Sequence, residues 1–254
     1  MRKVFQTLIA LMLLFSASAA SNLVDTVRLI KPSVVGIGVY TPIGQPKNKL
    51  YGSGFVIGDG SYVVTNHHVI ARELDDNLLQ KLAVFVGKGQ TAKVKFATVV
   101  ASDKATDIAV LKIESEPLPA LTLAQQDFLP DGSEIAFTGF PIGAVLGLYP
   151  ATHRGIIAGL TPTITPLDDT RQISIAMLRQ LRDPFLVYQL DATAYPGNSG
   201  SAMYDVNTGA VVGIINKVFV QQSKETVISK PSGISYAIPV KYLHQLLKKH
   251  NIKA

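Results

Sequence analysis

The chain has 254 residues, 47% of them apolar and 17% charged, with 20 glycines, 14 prolines and neither cysteine nor tryptophan. That composition excludes a disordered chain, a collagen, a zinc ribbon and a disulfide scaffold. The net charge of +6 falls to +4 once Arg2 and Lys3 are set aside, and no run of like charges makes a basic patch, so no nucleic-acid partner is expected.

Residues 1–20 read as an export signal: a basic start at Arg2 and Lys3, an apolar block from Leu8 to Phe15, then small residues from Ser16 to Ala20. The apolar block is too short for a hydrocarbon core that needs about 20 residues, so no stable membrane span is expected after cleavage behind Ala19 or Ala20. The mature protein is therefore expected in the periplasm or outside the cell. Asn22 to Ile30 predicts a short helix, closed by Lys31-Pro32 because the residue before proline avoids helical geometry.

From Val34 the texture turns to short β-rich runs: Val34 to Tyr40, Gly54 to Ile57, Tyr62 to Thr65, Leu82 to Val86, Val94 to Ala101 and Ile108 to Ile113. Six more follow at Glu134 to Thr138, Arg154 to Leu160, Leu186 to Leu190, Ser201 to Tyr204, Ala210 to Val220 and Ser235 to Ile238. Turn signals such as Gly58-Asp59-Gly60-Ser61 and Pro130-Asp131-Gly132-Ser133 separate them. Glu114 to Pro130 lies between the two sets as a connector. The expectation is an all-β protein of two six-stranded antiparallel β-barrels, in residues 21–120 and 121–254. Pro239 to His250 predicts a terminal amphipathic helix, with Tyr242, Leu243, Leu246 and Leu247 on its apolar face.

Gly197-Asn198-Ser199-Gly200-Ser201 is a small-residue turn of the kind that exposes a hydroxyl while aiming backbone N–H groups at the same point. Serine needs a base and a group to orient that base. Of five histidines, His244 and His250 fall on the terminal helix and His153 is expected to face solvent. His67 and His68 end a strand run, where an apolar environment gives way to an exposed one. Adjacent histidines on an extended segment point to opposite faces, so no metal pair and no cofactor are expected. Asp107 enters the apolar strand Ile108 to Ile113 as its last polar group and is preferred to Asp103, which lies in a solvated turn.

Thr65-Asn66-His67-His68-Val69, Asp107-Ile108-Ala109-Val110-Leu111 and Gly197-Asn198-Ser199-Gly200 resemble the three active-site motifs of the trypsin-like serine proteases, nearest to the HtrA/Deg branch. Gly52-Ser53-Gly54-Phe55, Val211-Val212-Gly213-Ile214 and Gly233-Ile234-Ser235-Tyr236 add smaller echoes. The resemblance covers about Val24 to Leu247, and the order His, Asp, Ser is that of the chymotrypsin template. It selects His68, before Val69, as the base. It implies Ser199 as nucleophile, Asp107 as orienting acid and the N–H groups of Gly197 and Ser199 as oxyanion hole. Asn216, Lys217 and Val218 are then expected to pair with substrate backbone, with Thr193 and Ala194 at the base of the side-chain pocket and Val218 and Gly233 to Ser235 as its walls.

Departures from the family pattern also carry information. Ser201 replaces a glycine, Thr161 to Pro184 has no counterpart, and nothing in this sequence corresponds to a PDZ domain. Asn198 stands where cleavage-activated trypsins keep an Asp, so activation by a new N-terminal amine is not expected. An uncharged pocket, with Asp191 outside it, favours a small or medium aliphatic residue before the cut. The resemblance thus implies an exported serine endopeptidase acting on unfolded polypeptides, with a catalytically silent binding or chaperone module on the same fold as the alternative.

Overall fold

The computed structural model describes residues 23–89, 93–141, 147–162, 185–216 and 234–253. Helix α1 (Leu23–Ile30) turns Thr26 and Ile30 inward, and the Thr26 hydroxyl donates to Val206 O at 3.0 Å. Lys31-Pro32-Ser33 then tightens into a single 3₁₀ turn that delivers the chain into the first sheet.

The first barrel comprises β1 (Val34–Tyr40), β2 (Asn48–Ile57), β3 (Tyr62–Thr65), β4 (Lys81–Val86), β5 (Lys93–Asp103) and β6 (Ile108–Ile113). The second comprises β7 (Glu134–Gly139), β8 (Ala151–Pro162), β9 (Leu186–Asp191), β10 (Ala202–Asp205), β11 (Val211–Asn216) and β12 (Ile234–Pro239). Both close with every neighbour antiparallel, in the orders β1-β2-β3-β6-β5-β4 and β10-β11-β12-β9-β8-β7. Closure leaves neither sheet with a free edge. The expected two-barrel architecture is what the chain adopts.

Alternation along the strands decides what each side chain joins. Val35, Ile37, Val56, Val63, Val84, Leu111 and Ile113 form one compact cluster. Their neighbours of opposite parity, such as Val34, Phe55, Ile57, Val64 and Val110, merge with the core of the second barrel. Strands buried on both faces read as unbroken apolar runs, which is why Val34 to Val39 shows no polar alternation. At about 1.5–3 kcal/mol per large side chain, this shared layer fixes one barrel against the other.

The connector reinforces that junction: Leu121 N donates to Val56 O in β2 at 2.8 Å, and Ala124 N donates to Val211 O in β11 at 2.9 Å. Helix α3 (Val240–Lys249) follows β12 and buries Val240, Leu243, Leu246 and Leu247. His244 is not simply solvated, because its Nε2 lies 2.8 Å from Ala124 O. Among the described residues, no helix is long and apolar enough to cross a membrane. Residues 1–22, including the expected export signal, lie outside the described residues, as does nearly all of Thr161 to Pro184.

Candidate active site

His67 and His68 do not end a strand. Asn66, extended at φ −81°, starts a short helix α2 (His67–Ile70) directly after β3. One helical turn sends the adjacent imidazoles in different directions. His67 Nδ1 lies 2.7 Å from Ser102 Oγ, on an exposed flank beside β5. His68 Nδ1 lies 2.6 Å from Asp107 Oδ2, with Asp107 the more sheltered partner at 13% side-chain exposure.

Asp107 is heavily bonded. Its Oδ1 accepts the backbone N–H of His68 at 2.8 Å, and its Oδ2 also accepts Asn216 Nδ2 at 2.8 Å. Its carbonyl accepts His67 N at 3.1 Å and Asn66 Nδ2 at 3.0 Å. A carboxylate can only accept, so His68 carries its proton on Nδ1 and leaves Nε2 as the available base. Asp103, the rival acid, is spent within its own turn on Ala105 N at 2.9 Å and Thr106 Oγ1 at 3.0 Å.

Ser199 belongs to the turn between β9 and β10. Gly197 adopts φ +98°, and Asn198 N donates to Tyr195 O at 3.0 Å, closing a four-residue turn that requires glycine at its third position. Gly200 follows at φ +86°, where an added Cβ would stand 2.1 Å from Ser53 O. Main-chain bonds bring this turn to the first barrel: Ser53 N donates to Ser199 O at 2.8 Å. They also bring it to the strand that ends in Asn216, since Gly200 N donates to Ile215 O at 2.9 Å. Gly52 marks the convergence, because a Cβ there would meet both Val69, next to His68, and Ser199 O within 3.0 Å.

The pocket positions divide. Ala194 N accepts no restraint from the sheet ladder but donates to the buried Ser235 hydroxyl at 2.8 Å. Thr193 is half-buried beside it, and Asp191 at the end of β9 is exposed. Lys217, Val218 and Gly233 lie outside the described residues. Asn216, expected to meet substrate through its backbone, is buried opposite Tyr236 and turns its amide to Asp107. That side-chain role went unread in the sequence, where only its position at the end of an apolar strand hinted at burial.

His153 also departs from expectation. Instead of facing solvent it stacks on Phe137, with ring centroids 4.9 Å apart, and lies 5.8 Å from the ring of Tyr195. Burial holds its pKa below the ordinary value, and its Nε2 has no hydrogen-bond partner among the described residues. The side-chain amide of Asn198 and the hydroxyl of Ser201 are likewise buried without partners among the described residues.

Comparison with known proteins identifies the family. The family model for a trypsin-like peptidase domain matches residues 52–214. A probable periplasmic serine endoprotease, DegP-like, from Halomonas elongata is 32% identical over 189 residues, covering 74% of this chain and 32% of that protein. The chain thus spans about a third of the length of the curated relatives it matches. An HtrA-type protease solved with a tripeptide superposes with a TM-score of 0.62 at 26% identity, over 90% of this chain and 63% of that one. A serine endoprotease from Yersinia pestis gives a TM-score of 0.61 at 28% identity, over 90% and 66%. With two closed six-stranded barrels and a family match across most of both, the chain belongs to the trypsin-like peptidase domain family, on its HtrA branch.

Proposed function

We propose that this protein is an exported serine endopeptidase, working in the periplasm or beyond it on unfolded polypeptides. The observation that carries the reading is the 2.6 Å contact of His68 Nδ1 with a buried, triply bonded Asp107 carboxylate, on the side of the fold where the Ser199 turn is anchored. The names of the relatives support the serine endopeptidase class and the periplasmic setting.

Ser199 Oγ attacks the peptide carbonyl while His68 Nε2 takes its proton. A new Oγ–C bond forms, the C–N bond breaks, and the same proton passes to the leaving amine. Water then attacks the acyl carbon as His68 takes its proton, a new C–O bond forms, the Oγ–C bond breaks to release the acid, and the proton passes to Ser199 Oγ. Asp107 holds the imidazole tautomer and stabilises its charged form. The N–H groups of Gly197 and Ser199 receive the developing oxyanion, where one such donor is typically worth about 3 kcal/mol.

Thr193, Ala194 and Ser235 offer no carboxylate to a cationic side chain, which supports cleavage after small or medium aliphatic residues. Desolvating a lysine or arginine without a partner costs several kcal/mol, whereas one methylene changes binding by about 1–3 kcal/mol. A serine-directed fluorophosphonate is expected to label the protein and to spare Ser199→Ala. An unlabelled, folded wild-type protein overturns the enzyme reading in favour of a silent binding module. Among labelled preparations, cleavage-site profiling on denatured proteins is expected to show aliphatic residues before the cut; clustering after Lys or Arg overturns the pocket and points to Asp191.

A further inference from the structure

The nucleophile turn is held by a residue from the opposite barrel. Ser53, fully buried in β2, uses all of its polar atoms toward or around that turn. Its hydroxyl donates to Gly197 O at 2.7 Å and accepts Phe140 N, just past β7, at 2.9 Å. Its own N–H donates to Ser199 O at 2.8 Å, and its carbonyl accepts Thr65 Oγ1 at 2.8 Å.

These bonds have a specific geometric effect. Gly197 O belongs to the peptide unit just before the Asn198–Ser199 peptide, and Ser199 O to the unit just after it. Ser53 therefore grips both peptides that flank the one bearing the Ser199 N–H. The first of them is pinned at its other end too, because Asn198 N donates to Tyr195 O at 3.0 Å. Gly197, whose own N–H is the second proposed donor, sits at a positive φ where glycine has wide rotational freedom. Neither the Asn198 amide nor the Ser201 hydroxyl restrains it by a hydrogen bond, since both are without partners among the described residues.

We infer that Ser53 is a positioning residue for the oxyanion-binding turn: its hydroxyl sets the Gly197 peptide so that the N–H groups of Gly197 and Ser199 keep a common target. The inference rests on the reading of Ser199 as nucleophile. Ser53 touches no reacting atom, so its effect falls on the transition state and not on substrate binding. Losing an oxyanion donor outright lowers kcat by about 100- to 1,000-fold, and misaiming both is expected to lower it by about 10- to 100-fold.

The test compares Ser53→Ala with Thr138→Val, which removes a fully buried hydroxyl of β7 whose bonds run to Thr152 and Tyr204 and not to the turn. Both are expected to lower the unfolding temperature. Only Ser53→Ala is expected to lower kcat on a peptide substrate by about 10- to 100-fold with KM within about twofold, and to weaken inhibition by a peptide aldehyde in proportion to kcat. Ser53→Cys, close in size but a weaker donor, is expected to fall between wild type and Ser53→Ala, and serves if the alanine variant does not fold. A folded Ser53 variant with wild-type kcat, or one whose loss lies in KM, overturns the inference and leaves the proposed function standing. Absence of fluorophosphonate labelling in wild type overturns both.

Discussion

The two barrels hold their shares of the site in opposite ways. The first holds His68 through a side-chain carboxylate: Asp107 accepts the imidazole and the backbone N–H of His68 and, from the second barrel, the Asn216 amide. The second holds the Ser199 turn through main chain, with peptide groups of its own Ile215 and Tyr195 tied to it, joined by that of Ser53 from the first barrel. A substitution in the first barrel should therefore act through the chemistry of the group removed. In the second barrel it should act through backbone shape, as the 2.1 Å approach of Ser53 O to any Cβ at position 200 illustrates.

The sharpest way to break that contrast is at the proposed triad. Ser199→Ala or His68→Ala is expected to lower kcat by up to about a million-fold, and Asp107→Asn by about ten thousand-fold, with wild-type unfolding temperatures within a few degrees. His67→Ala, which removes only the contact with Ser102, is expected to stay within a few-fold of wild type. Steady-state kinetics on one peptide substrate checks all four. A His67 effect equal to that of His68 would show that the wrong imidazole had been assigned.

A smaller effect is expected where the barrels meet. Asn216→Ala removes from Asp107 the donor that comes from the second barrel, leaving a buried carboxylate oxygen with His68 alone. The expected loss is about tenfold in kcat, the scale of one hydrogen bond to a charged group at about 1.5 kcal/mol. Asn216→Asp is expected to be worse, because it sets two carboxylates against each other. Activity unchanged in Asn216→Ala would mean that the first barrel orients its histidine unaided.

The least effect is expected on stability against pH. Burial favours neutral His153, so its folded pKa lies below the ordinary 6.5. The stability that this preference contributes is complete above 6.5 and is lost as pH falls toward the lower folded pKa. Phe137 and Tyr195 face the ring, while Arg154, next along β8, pairs with Glu134 at 2.6 Å. His153→Phe keeps the stack without the titrating group. Melting curves between pH 7.5 and 5 should show a shallower decline for this variant; an unchanged slope would exclude His153 as a source of acid sensitivity.

Much of this was legible in the sequence because strands announce themselves by composition. Val34 to Tyr40, Tyr62 to Thr65 and Ile108 to Ile113 appear with the same bounds in the structure. β2 begins earlier than predicted, at Asn48, since Asn48-Lys49-Leu50 joins by backbone pairing with β1 and not by an apolar pattern. The helical turn at His67 left no such mark, because Asn66 caps it without a side-chain hydrogen bond and a four-residue helix has no periodicity to read. Ser53 and Gly197 are 144 positions apart, and the burial of His153 depends on a ring from another strand. Contacts of that kind follow from barrel closure and leave no local trace.

Asp107 also sits at φ +54°, in the left-handed region that side-chain-bearing residues seldom occupy, with Asp and Asn among the few that tolerate it. The backbone thus narrows which residues can replace it. Larger or branched ones incur a conformational penalty before any chemistry is considered, whereas asparagine keeps both shape and backbone. Aspartate and asparagine codons differ by a single base, so under the proposed mechanism one mutational step separates a working site from an intact but idle scaffold. If Asp107 orients His68 as proposed, hydrolysis is open to loss by drift at a position where the fold would not register the change.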